Sequence, residues 1–246
     1  MRNYIIGIAG AKNSGKDTIA SMINYIFKVG TTTATYSGYI LNRDRIDFTL
    51  KDRIIHFADA PKDILSIMFN IPRKYFDDRI YKDVYWYNID ARYFANIDKN
   101  RSANDVTLTI KDLEKSFTIP QLIDNYSGKH VYIKLRTLMQ YFTTNICKSY
   151  FGEDIWIKAA MSKIVDVAES RRVCIVPDVR FANEAEAIMT DSDSLYGVVI
   201  MVKRNSDVKP EHCSEIIDFK CDFEIDNNSN LFQLFYKVLN ICQTLK

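Results

Sequence analysis

Residues near the N-terminus have the spacing of a phosphate-binding loop. The pattern G-x-x-x-x-G-K is matched by Gly10, Ala11, Lys12, Asn13, Ser14, Gly15 and Lys16. The glycines of such a loop let the backbone turn tightly, so that successive N–H groups can point at phosphate oxygens. Lys16 would add a positive charge for the β- and γ-phosphates of a nucleoside triphosphate. We therefore predict that residues 10–18 bind ATP through its phosphates.

The two residues after Lys16 depart from the usual motif. Most such loops continue with Ser or Thr as the magnesium ligand, whereas here Asp17 comes first and Thr18 second. A carboxylate at this place can hold Mg²⁺ directly or through water, and the Thr18 hydroxyl can reach an α-phosphate. The arrangement resembles that of adenylate kinases, which have a small residue and then Thr after the lysine. We expect Asp17 to be a ligand of magnesium.

The elements around the loop are those that must position it. The apolar run from Tyr4 to Ala9 predicts a buried strand, and apolar residues at helical spacing predict a helix over about 16–28. The N-terminal end of that helix would present its partial positive charge to bound phosphates. A chance glycine-rich turn is the alternative, and the strand before and the helix after the loop make it less favoured.

Other apolar segments predict strands that alternate with helices. Strands are predicted at 53–58, 172–177, 196–204 and 222–226, the last of them short and suited to an edge. Helices are predicted from Asp59 to about 70, where Pro72 stops the helix, and at about 132–150, 154–169, 183–189 and 229–243, with a helical turn at 73–78. This alternation is typical of an α/β fold with a mostly parallel sheet covered by helices on both faces.

Two regions are harder to interpret. Residues 29–52 are rich in Thr, Tyr and Asn and are ambiguous, and residues 79–131 have weak periodicity with one candidate strand at 106–110. Because residues 79–131 carry many aromatic side chains, we interpret them as an ordered insertion within a single domain of residues 1–246. The insertion would form an acceptor-binding region or a lid that excludes water.

In a parallel sheet, ligands bind at the carboxyl ends of the strands. Four polar features are predicted to lie at such ends and to converge in space: the loop at 10–16, Asp59 with Lys62, Asp178 with Arg180, and Arg204.

The acidic and basic residues at these strand ends suit phosphoryl transfer. This reaction needs the two reacting oxygens to be held in line and the charge on the moving phosphoryl group to be neutralised. Asp178 could hold the waters of a metal ion or accept a hydrogen bond from the acceptor. Arg180 and Arg136 suit forked contacts with phosphate oxygens. Each of the candidate residues could instead have a purely structural role. Asp178 could cap the next helix, the arginines could face solvent, Glu184 could begin a helix and Trp156 could pack in a core.

The composition limits the class of protein. The chain has 246 residues, 47% of them hydrophobic, and a formal net charge of +2. It has no apolar run as long as a membrane span, no basic tail and no one-signed block, so we expect no membrane or nucleic-acid partner. Because the N-terminus is predicted to enter a strand almost directly, we expect no secretory signal. Five scattered cysteines without metal-ligand spacing indicate a reduced, cytoplasmic protein.

Five segments, in order along the chain, resemble motifs of the bacteriophage deoxynucleoside monophosphate kinases. They are GAKNSGKDT (10–18), FADAPKDIL (57–65), RTLMQYFTTNICKSYFGEDIWIKA (136–159), VPDVRFANEAEAI (176–188) and HCSE (212–215). The resemblance does not cover residues 29–52 and 79–131. It implies the core fold of the P-loop nucleoside monophosphate kinases and is compatible with a homodimer, in the host cytoplasm if a phage encodes the protein.

The resemblance also implies an activity and a role for each matching residue. The activity is transfer of the γ-phosphate of ATP, with Mg²⁺, to a deoxynucleoside 5′-monophosphate, which supplies precursors for DNA. Magnesium would lie at Asp17 and Asp178. Acceptor-binding roles fall on Lys62, Arg136, Gln140, Thr144 and Trp156. Catalytic roles fall on Lys16, Asp178, Arg180, Glu184 and Arg136.

Two positions depart from the family pattern. Thr143 stands where the family usually has Gly, and a Cβ there restricts the approach of the backbone to a ligand, so we expect a different base pocket. Thr137 stands where relatives can have a second basic residue beside Arg136. Either acceptor-phosphate binding is weaker, or another Lys or Arg substitutes.

Two other functions stay open at this stage. A related P-loop kinase for another phosphorylated acceptor, such as phosphomevalonate, has a similar loop. A nucleotide-binding module that binds ATP without transferring phosphate is the alternative from a different class. A panel of acceptors would separate the first from the preferred function, and ATP binding without transfer to any monophosphate would favour the second.

Overall fold

The structure is a computed structural model that describes residues 2–45, 52–84, 86–89, 96–98, 131–190, 192–205 and 219–245. The chain divides into two compact units. The first comprises Met1–Phe57 and Ile157–Lys246, and the second comprises Ala58–Trp156. The second unit is therefore inserted, in sequence, between the two parts of the first.

Strands and helices alternate along the described residues. In order they are β1 (Asn3–Gly10), α1 (Lys16–Val29), α2 (Tyr36–Asn42), α3 (Asp59–Phe69), a 3₁₀ turn (Arg73–Phe76), α4 (Arg79–Asp83), β2 (Trp86–Ile89), β3 (Asn96–Asp98), β4 (Val131–Ile133), α5 (Leu135–Gln140), a π-helical segment (Tyr141–Lys148), α6 (Ser149–Phe151), α7 (Ile155–Arg171), β5 (Val173–Val179), α8 (Ala182–Ile188), β6 (Leu195–Lys203), β7 (Phe223–Asp226) and α9 (Leu231–Thr244). Among the described residues, no helix combines the length and the apolar character that crossing a bilayer requires.

The first unit contains a four-stranded sheet of order β5-β1-β6-β7 in which all neighbouring strands are parallel. Alternate residues of β1 point to opposite faces. Ile6 and Ile8 pack with α1, α2 and α9, whereas Ile5 and Ala9 pack with α7 and α8. Because both faces are covered, β1 is buried from Tyr4 to Ala9. The predicted parallel sheet covered on both faces is confirmed, as is the position of β7 at an edge.

The second unit has a core of its own. Leu65, Phe76 and Leu135 are fully buried, and aromatic and aliphatic side chains from α3, α5 and the π-helical segment surround them. Its strands form a separate antiparallel sheet of order β3-β2-β4, in which Tyr87 lies opposite Ile97 and Ile133. The prediction that 79–131 form an insertion stays a prediction, because most of those residues lie outside the described part of the chain, including the candidate strand at 106–110.

The predicted strand at 53–58 is wrong. Only Ile54 makes a β-bridge, in parallel orientation, to Ile175. The N–H of Ile55 donates to the carbonyl of Ile175 at 3.0 Å, and the N–H of Ile175 donates to the carbonyl of Arg53 at 2.7 Å. The chain then turns at residues 57–58 and enters α3 at Asp59. The segment therefore leaves the sheet before further residues can pair with β5.

Strand β5 is longer than predicted, because it continues through Pro177 to Val179. The register against β1 changes along the strand, since Gly7 lies opposite Val176 but Ala9 lies opposite Val179. One extra residue of β5 is thus accommodated as an irregularity at this point. Proline has no N–H to give to a ladder, and an irregularity of this kind is where a strand tolerates it.

Helix boundaries differ in two places. The helix predicted at 132–150 begins only at Leu135, because residues Val131–Ile133 pair as β4, and its middle is π-helical. Helix α3 ends at Phe69 and is capped by Asn70, which has a φ of 49°. The helix therefore ends before Pro72 is reached.

We predict that Gly197→Ala destabilises the first unit by about 3 kcal/mol, because only a shift of the backbone can relieve an overlap between the new Cβ and backbone atoms. A Cβ on Gly197 would lie 1.7 Å from the carbonyl oxygen of Ile188. Urea unfolding measures the effect. The matched control is Ser194→Ala at an exposed position just before β6, which should change stability by no more than about 0.5 kcal/mol. Equal stability of the two variants would contradict this account.

Candidate active site

The loop predicted to bind phosphate joins β1 to α1. Asn13 has a φ of 63° and Gly15 a φ of 101°, both in the left-handed region, so the chain reverses tightly before the helix. Gly15 is the N-cap of α1 and has no side chain to satisfy the first N–H groups of the helix. Those N–H groups, with the positive end of the helix dipole, can bind an anion.

Lys16 is folded back over the loop. Its Nζ donates to the carbonyl oxygen of Gly10 at 2.6 Å and to that of Ala11 at 2.8 Å. These bonds keep the ammonium beside the loop that it is predicted to serve. The carbonyl groups are weaker partners for an ammonium than a phosphate oxygen would be, because a charge-assisted bond to an anion is stronger.

Asn227, directly after β7, holds the loop, and no local pattern in the sequence marks this role. Its Nδ2 donates to the carbonyl oxygen of Ser14 at 2.7 Å, and the residue is buried. A Cβ on Gly15 would lie 2.3 Å from the same nitrogen, so the amide packs directly on the glycine. Arg204, after β6, adds a bond from Nη1 to the carbonyl oxygen of Asn13 at 3.4 Å.

Asp178 lies at the same edge of the sheet as the loop, because the next residue, Val179, pairs with Ala9 of β1. Its Oδ1 accepts a hydrogen bond from the backbone N–H of Phe57 at 3.2 Å. Asp178 is in β5 and does not cap α8, whose N-cap is Phe181. The alternative interpretation of Asp178 as a helix cap is therefore wrong.

Glu184 organises the chain that follows β5. Its Oε2 accepts hydrogen bonds from the backbone N–H groups of Arg180 at 2.7 Å and of Phe181 at 3.2 Å. The side chain thus satisfies N–H groups at the start of α8. It also fixes the backbone from which the exposed side chain of Arg180 projects.

Magnesium fits the chemistry of the carboxylates at this edge. Asp17 is exposed in the first turn of α1, next to the loop, and Asp178 is partly exposed at the end of β5. Both are hard oxygen donors of the kind that Mg²⁺ prefers. No group of three or more His, Cys, Asp or Glu residues within the described ranges is arranged to hold a metal ion. A magnesium ion here would take its other ligands from water and phosphate, as is usual for this ion.

The second unit carries the residues predicted to bind the acceptor. Arg136 is clamped by Asp83, with Nε to Oδ1 at 2.7 Å and Nη2 to Oδ2 at 2.8 Å. Gln140 and Thr144 follow Arg136 at intervals of four residues. These three residues, all predicted to bind the acceptor, are exposed. Side chains four residues apart on a helix lie on the same side, so Arg136, Gln140 and Thr144 can address one ligand.

Trp156 contributes to the core of the second unit. Its indole N–H donates to the carbonyl oxygen of Thr143 at 3.2 Å, and its ring lies 5.9 Å from that of Phe142. The structural interpretation of Trp156 is therefore confirmed, and its contact with an acceptor stays a prediction. Thr143, the departure from the family pattern, is held on the same π-helical segment.

Lys62 belongs to an ion network that sequence analysis missed. Its Nζ lies 2.9 Å from Asp77 Oδ1 and 3.9 Å from Asp59 Oδ1. Arg73, at the centre, pairs with Asp59 at 2.8 Å and also with Asp63 and Asp77. The local signals were the spacing of three between Asp59 and Lys62 and the spacing of four between Arg73 and Asp77.

The ion pairs of the second unit shift the pKa values of two carboxyl groups. The hydrogen bond from Arg136 lowers the pKa of Asp83. Burial raises the pKa of Asp77, but hydrogen bonds and charges from Lys62 and Arg73 outweigh this effect, so the net pKa is lowered. A carboxyl group with a lowered pKa stabilises the fold above its unfolded-state pKa, and the contribution is lost as the pH falls through the folded-state value.

We therefore predict that the urea midpoint of unfolding falls as the pH is lowered below about 4, from the unfolded-state pKa of Asp down through the lower folded-state values of Asp77 and Asp83. Asp83→Asn should weaken this pH dependence, because it removes one of the shifted groups. The change is expected to be about 1 kcal/mol or less, since Arg136 and Asp83 are 48% and 27% exposed. The control is Asp193→Asn, at an exposed site in the first unit. A pH dependence of Asp83→Asn identical to that of the natural chain would contradict the assignment.

The buried cysteines play no part in this site. Cys174 is fully buried in β5, as predicted, and burial raises the pKa of its thiol to about 12. Burial also raises the pKa of Cys242 to about 12. Neither thiol is an available nucleophile at neutral pH. The HCSE segment at 212–215 lies outside the described residues.

The candidate residues thus divide between the two units. In the first unit the loop at 10–16, Asp178 and Arg204 lie at the carboxyl ends of β1, β5 and β6, as predicted, and Arg180 and Glu184 follow β5. Asp59 and Lys62 belong to the second unit, so their convergence with these residues stays a prediction. The second unit holds Asp59, Lys62, Arg136, Gln140, Thr144 and Trp156. The parallel sheet, its helices on both faces and the loop between β1 and α1 define an α/β protein with the core of a P-loop kinase.

Comparisons with known proteins give the family. The model of the deoxynucleotide monophosphate kinase family matches residues 75–238, about two thirds of the chain. The chain is also similar to the deoxynucleoside-5′-monophosphate kinase of Escherichia phage T5, with 24% identity over 230 residues that cover 87% of this chain and 84% of the relative. The chain belongs to the deoxynucleotide monophosphate kinase family, and it is therefore a phosphotransferase.

Proposed function

We propose that the protein transfers the γ-phosphate of ATP to a deoxynucleoside 5′-monophosphate, giving the diphosphate and ADP. In this role it supplies precursors for DNA synthesis. The observation that carries the proposal is the loop of residues 10–16 between β1 and the uncapped N-terminus of α1, in a member of this family. A loop of this geometry can surround phosphate groups with N–H donors.

The loop and Lys16 bind the donor in this proposal. When phosphates occupy the loop, the Lys16 ammonium exchanges its bonds to the carbonyls of Gly10 and Ala11 for phosphate oxygens. Thr18, in the first turn of α1, offers a hydroxyl to the α-phosphate. Because Asn227 and Arg204 already fix the loop through its carbonyl groups, little ordering is needed when ATP binds.

Asp17 and Asp178 are the residues that would hold magnesium. The ion, when bound, supplies positive charge beside the β- and γ-phosphates. Asp178 keeps its orientation through the bond to the Phe57 N–H. The role of these carboxylates is to position that charge, and Arg180 offers a forked donor to the oxygens of the moving phosphoryl group.

The acceptor is bound by residues of the second unit. Arg136 presents the part of its guanidinium that Asp83 does not occupy, and Asp83 orients the fork. Gln140 and Thr144 lie on the same side of the helical run and offer an amide and a hydroxyl to the nucleoside. Lys62 is a further cation of this set, and Asp77 and Asp59 hold its ammonium in place.

A coupled assay of ADP formation tests the proposal. The protein with ATP and Mg²⁺ is supplied in turn with dAMP, dCMP, dGMP, dTMP, the corresponding ribonucleotides and phosphomevalonate. ADP formation that depends on at least one deoxynucleoside monophosphate is the expected result. Turnover with phosphomevalonate alone would move the assignment to the other kinase class. Binding of ATP without transfer to any monophosphate would instead indicate a non-catalytic module.

Magnesium and assembly need measurements of their own. Removal of Mg²⁺ with a chelator should stop ADP formation, and restoring it should recover the rate. We expect a homodimer that does not bind nucleic acid, and light scattering with a filter-binding assay tests these two expectations.

A further inference from the structure

The charged side chains around Arg136 include one that the roles described above do not use. Lys82 lies in α4, directly before Asp83, which clamps the Arg136 guanidinium. Helix α4 packs against the 3₁₀ turn, which Asp77 directly follows, and against α5, which carries Arg136. Lys82 therefore belongs to the part of the second unit that binds the acceptor in the proposed function.

The backbone of α4 is well fixed, so that the position of Lys82 is defined. Asp78 caps the helix, with its Oδ1 accepting from the N–H groups of Ile80 at 2.8 Å and Tyr81 at 3.2 Å. The ring of Tyr81 stacks on that of Tyr75 with 4.0 Å between centroids and 2° between planes. Helix α4 is thus attached to the 3₁₀ turn on one side, and Asp83 attaches it to α5 on the other.

Lys82 is partly buried, yet its ammonium makes no ion pair within 4 Å across the described part of the chain. The nearest carboxylates have other partners, since Asp77 pairs with Lys62 and Arg73, and Asp83 pairs with Arg136. Burial lowers the pKa of Lys82, and the like charge of Arg136 lowers it further; Lys62 acts in the same direction, while Asp83 and Asp77 oppose it. A cation left without an anion in such a place costs free energy, which a bound anion would offset.

We propose that Lys82 binds the 5′-phosphate of the acceptor, as a second cation beside Arg136. This inference rests on the proposed function. The Arg136 charge is largely compensated by Asp83, whereas a monophosphate near pH 7 carries nearly two negative charges. Lys82 supplies a positive charge that forms no ion pair with a carboxylate of the described residues. Arg136 then makes the forked contact that orients the phosphate, and Lys82 provides the positive charge that balances it.

The experiment compares Lys82→Met, Lys82→Arg and the control Lys74→Met in the full chain. Lys74 is an exposed lysine of the same unit, on the 3₁₀ turn. For Lys82→Met we expect the KM for the deoxynucleoside monophosphate to rise about tenfold or more, as for loss of a charged contact, while the KM for ATP changes less than about twofold. Lys82→Arg should recover most of the affinity, and Lys74→Met should behave as the natural chain.

A structural role for Lys82 would give different results. Because the ammonium has no ion pair to lose among the described residues, Lys82→Met should unfold at the same temperature as the natural chain or a higher one. The matching deoxynucleoside without a 5′-phosphate, used as a competitive inhibitor, should bind the variant and the natural chain equally. These two measurements separate a lost phosphate contact from a disturbed fold.

Three results would overturn the inference: an unchanged acceptor KM in Lys82→Met, equal weakening by Lys74→Met, or equal weakening of the unphosphorylated nucleoside. In each of these cases the natural chain still phosphorylates a deoxynucleoside monophosphate and the proposed function stands. If the natural chain forms no ADP with any deoxynucleoside monophosphate, the proposed function itself fails, and the assignment of Lys82 fails with it.

Discussion

Lys16→Met is expected to lower kcat/KM for phosphoryl transfer by about a thousandfold or more, within the range known for the loss of a charged group that stabilises the transition state. Methionine keeps most of the length and apolar surface of the side chain. It loses the bonds to Gly10 and Ala11 and the charge that the donor phosphates require. The loop should survive, because Asn227 and Arg204 hold it independently.

Lys237→Met is the matched control for this prediction. Lys237 also donates to a backbone carbonyl, that of Asp226, at 2.6 Å, and it lies in the first unit outside the loop. The control loses a charge and a lysine–carbonyl bond, but it should keep close to full activity. A Lys16→Met protein with more than about a tenth of the natural kcat/KM would remove Lys16 from the donor site.

Asp178→Asn is expected to lower turnover by about a hundredfold or more. Asparagine retains an oxygen that can accept from the N–H of Phe57, so the fold should be preserved. What is lost is the negative charge that, in the proposed function, would hold the waters of the magnesium ion or accept a hydrogen bond from the acceptor. We expect Arg180→Ala to lower turnover by a similar factor, since it removes the proposed donor to the moving phosphoryl group.

Asp222→Asn tests whether the effect of Asp178→Asn comes from its location. Asp222 also accepts a hydrogen bond from a backbone N–H in this unit, that of Val199 at 2.8 Å. It lies just before β7, at the amino end of a strand, where no ligand is expected. Natural rates in Asp178→Asn, or equal losses in both variants, would take Asp178 out of the catalytic group.

The sequence was a good guide wherever the evidence was local. The apolar run from Tyr4 to Ala9 and the helical spacing after Lys16 gave β1 and α1 nearly to the residue, because both depend on the chain's own periodicity. The end of β5 was missed, since its continuation past Pro177 depends on an irregular pairing with β1. The segment at 53–58 looked like a strand, yet its partner allows it only one bridge.

In the candidate site too, residues that are contiguous in sequence were predictable and long-range contacts were not. The loop could be recognised because its donors and its lysine are contiguous. Asn227 could not be recognised, because it meets Ser14 from 213 residues away, and nothing in its own neighbourhood marks it. The bond between Arg136 and Asp83 spans 53 residues and was equally hidden. Both contacts depend on how strands and helices are brought together, which periodicity does not specify.

The strand order has a consequence for the protein during its synthesis. Strand β1 leaves the ribosome first, but its two neighbours, β5 and β6, begin about 160 and 185 residues later. At about 5–20 residues per second, β1 waits roughly 8–30 s for its first partner. The second unit, continuous in sequence, is complete before then. The nascent chain therefore holds an unpaired apolar strand until late in translation, and we expect chaperone binding to concentrate on residues 4–9 in that interval.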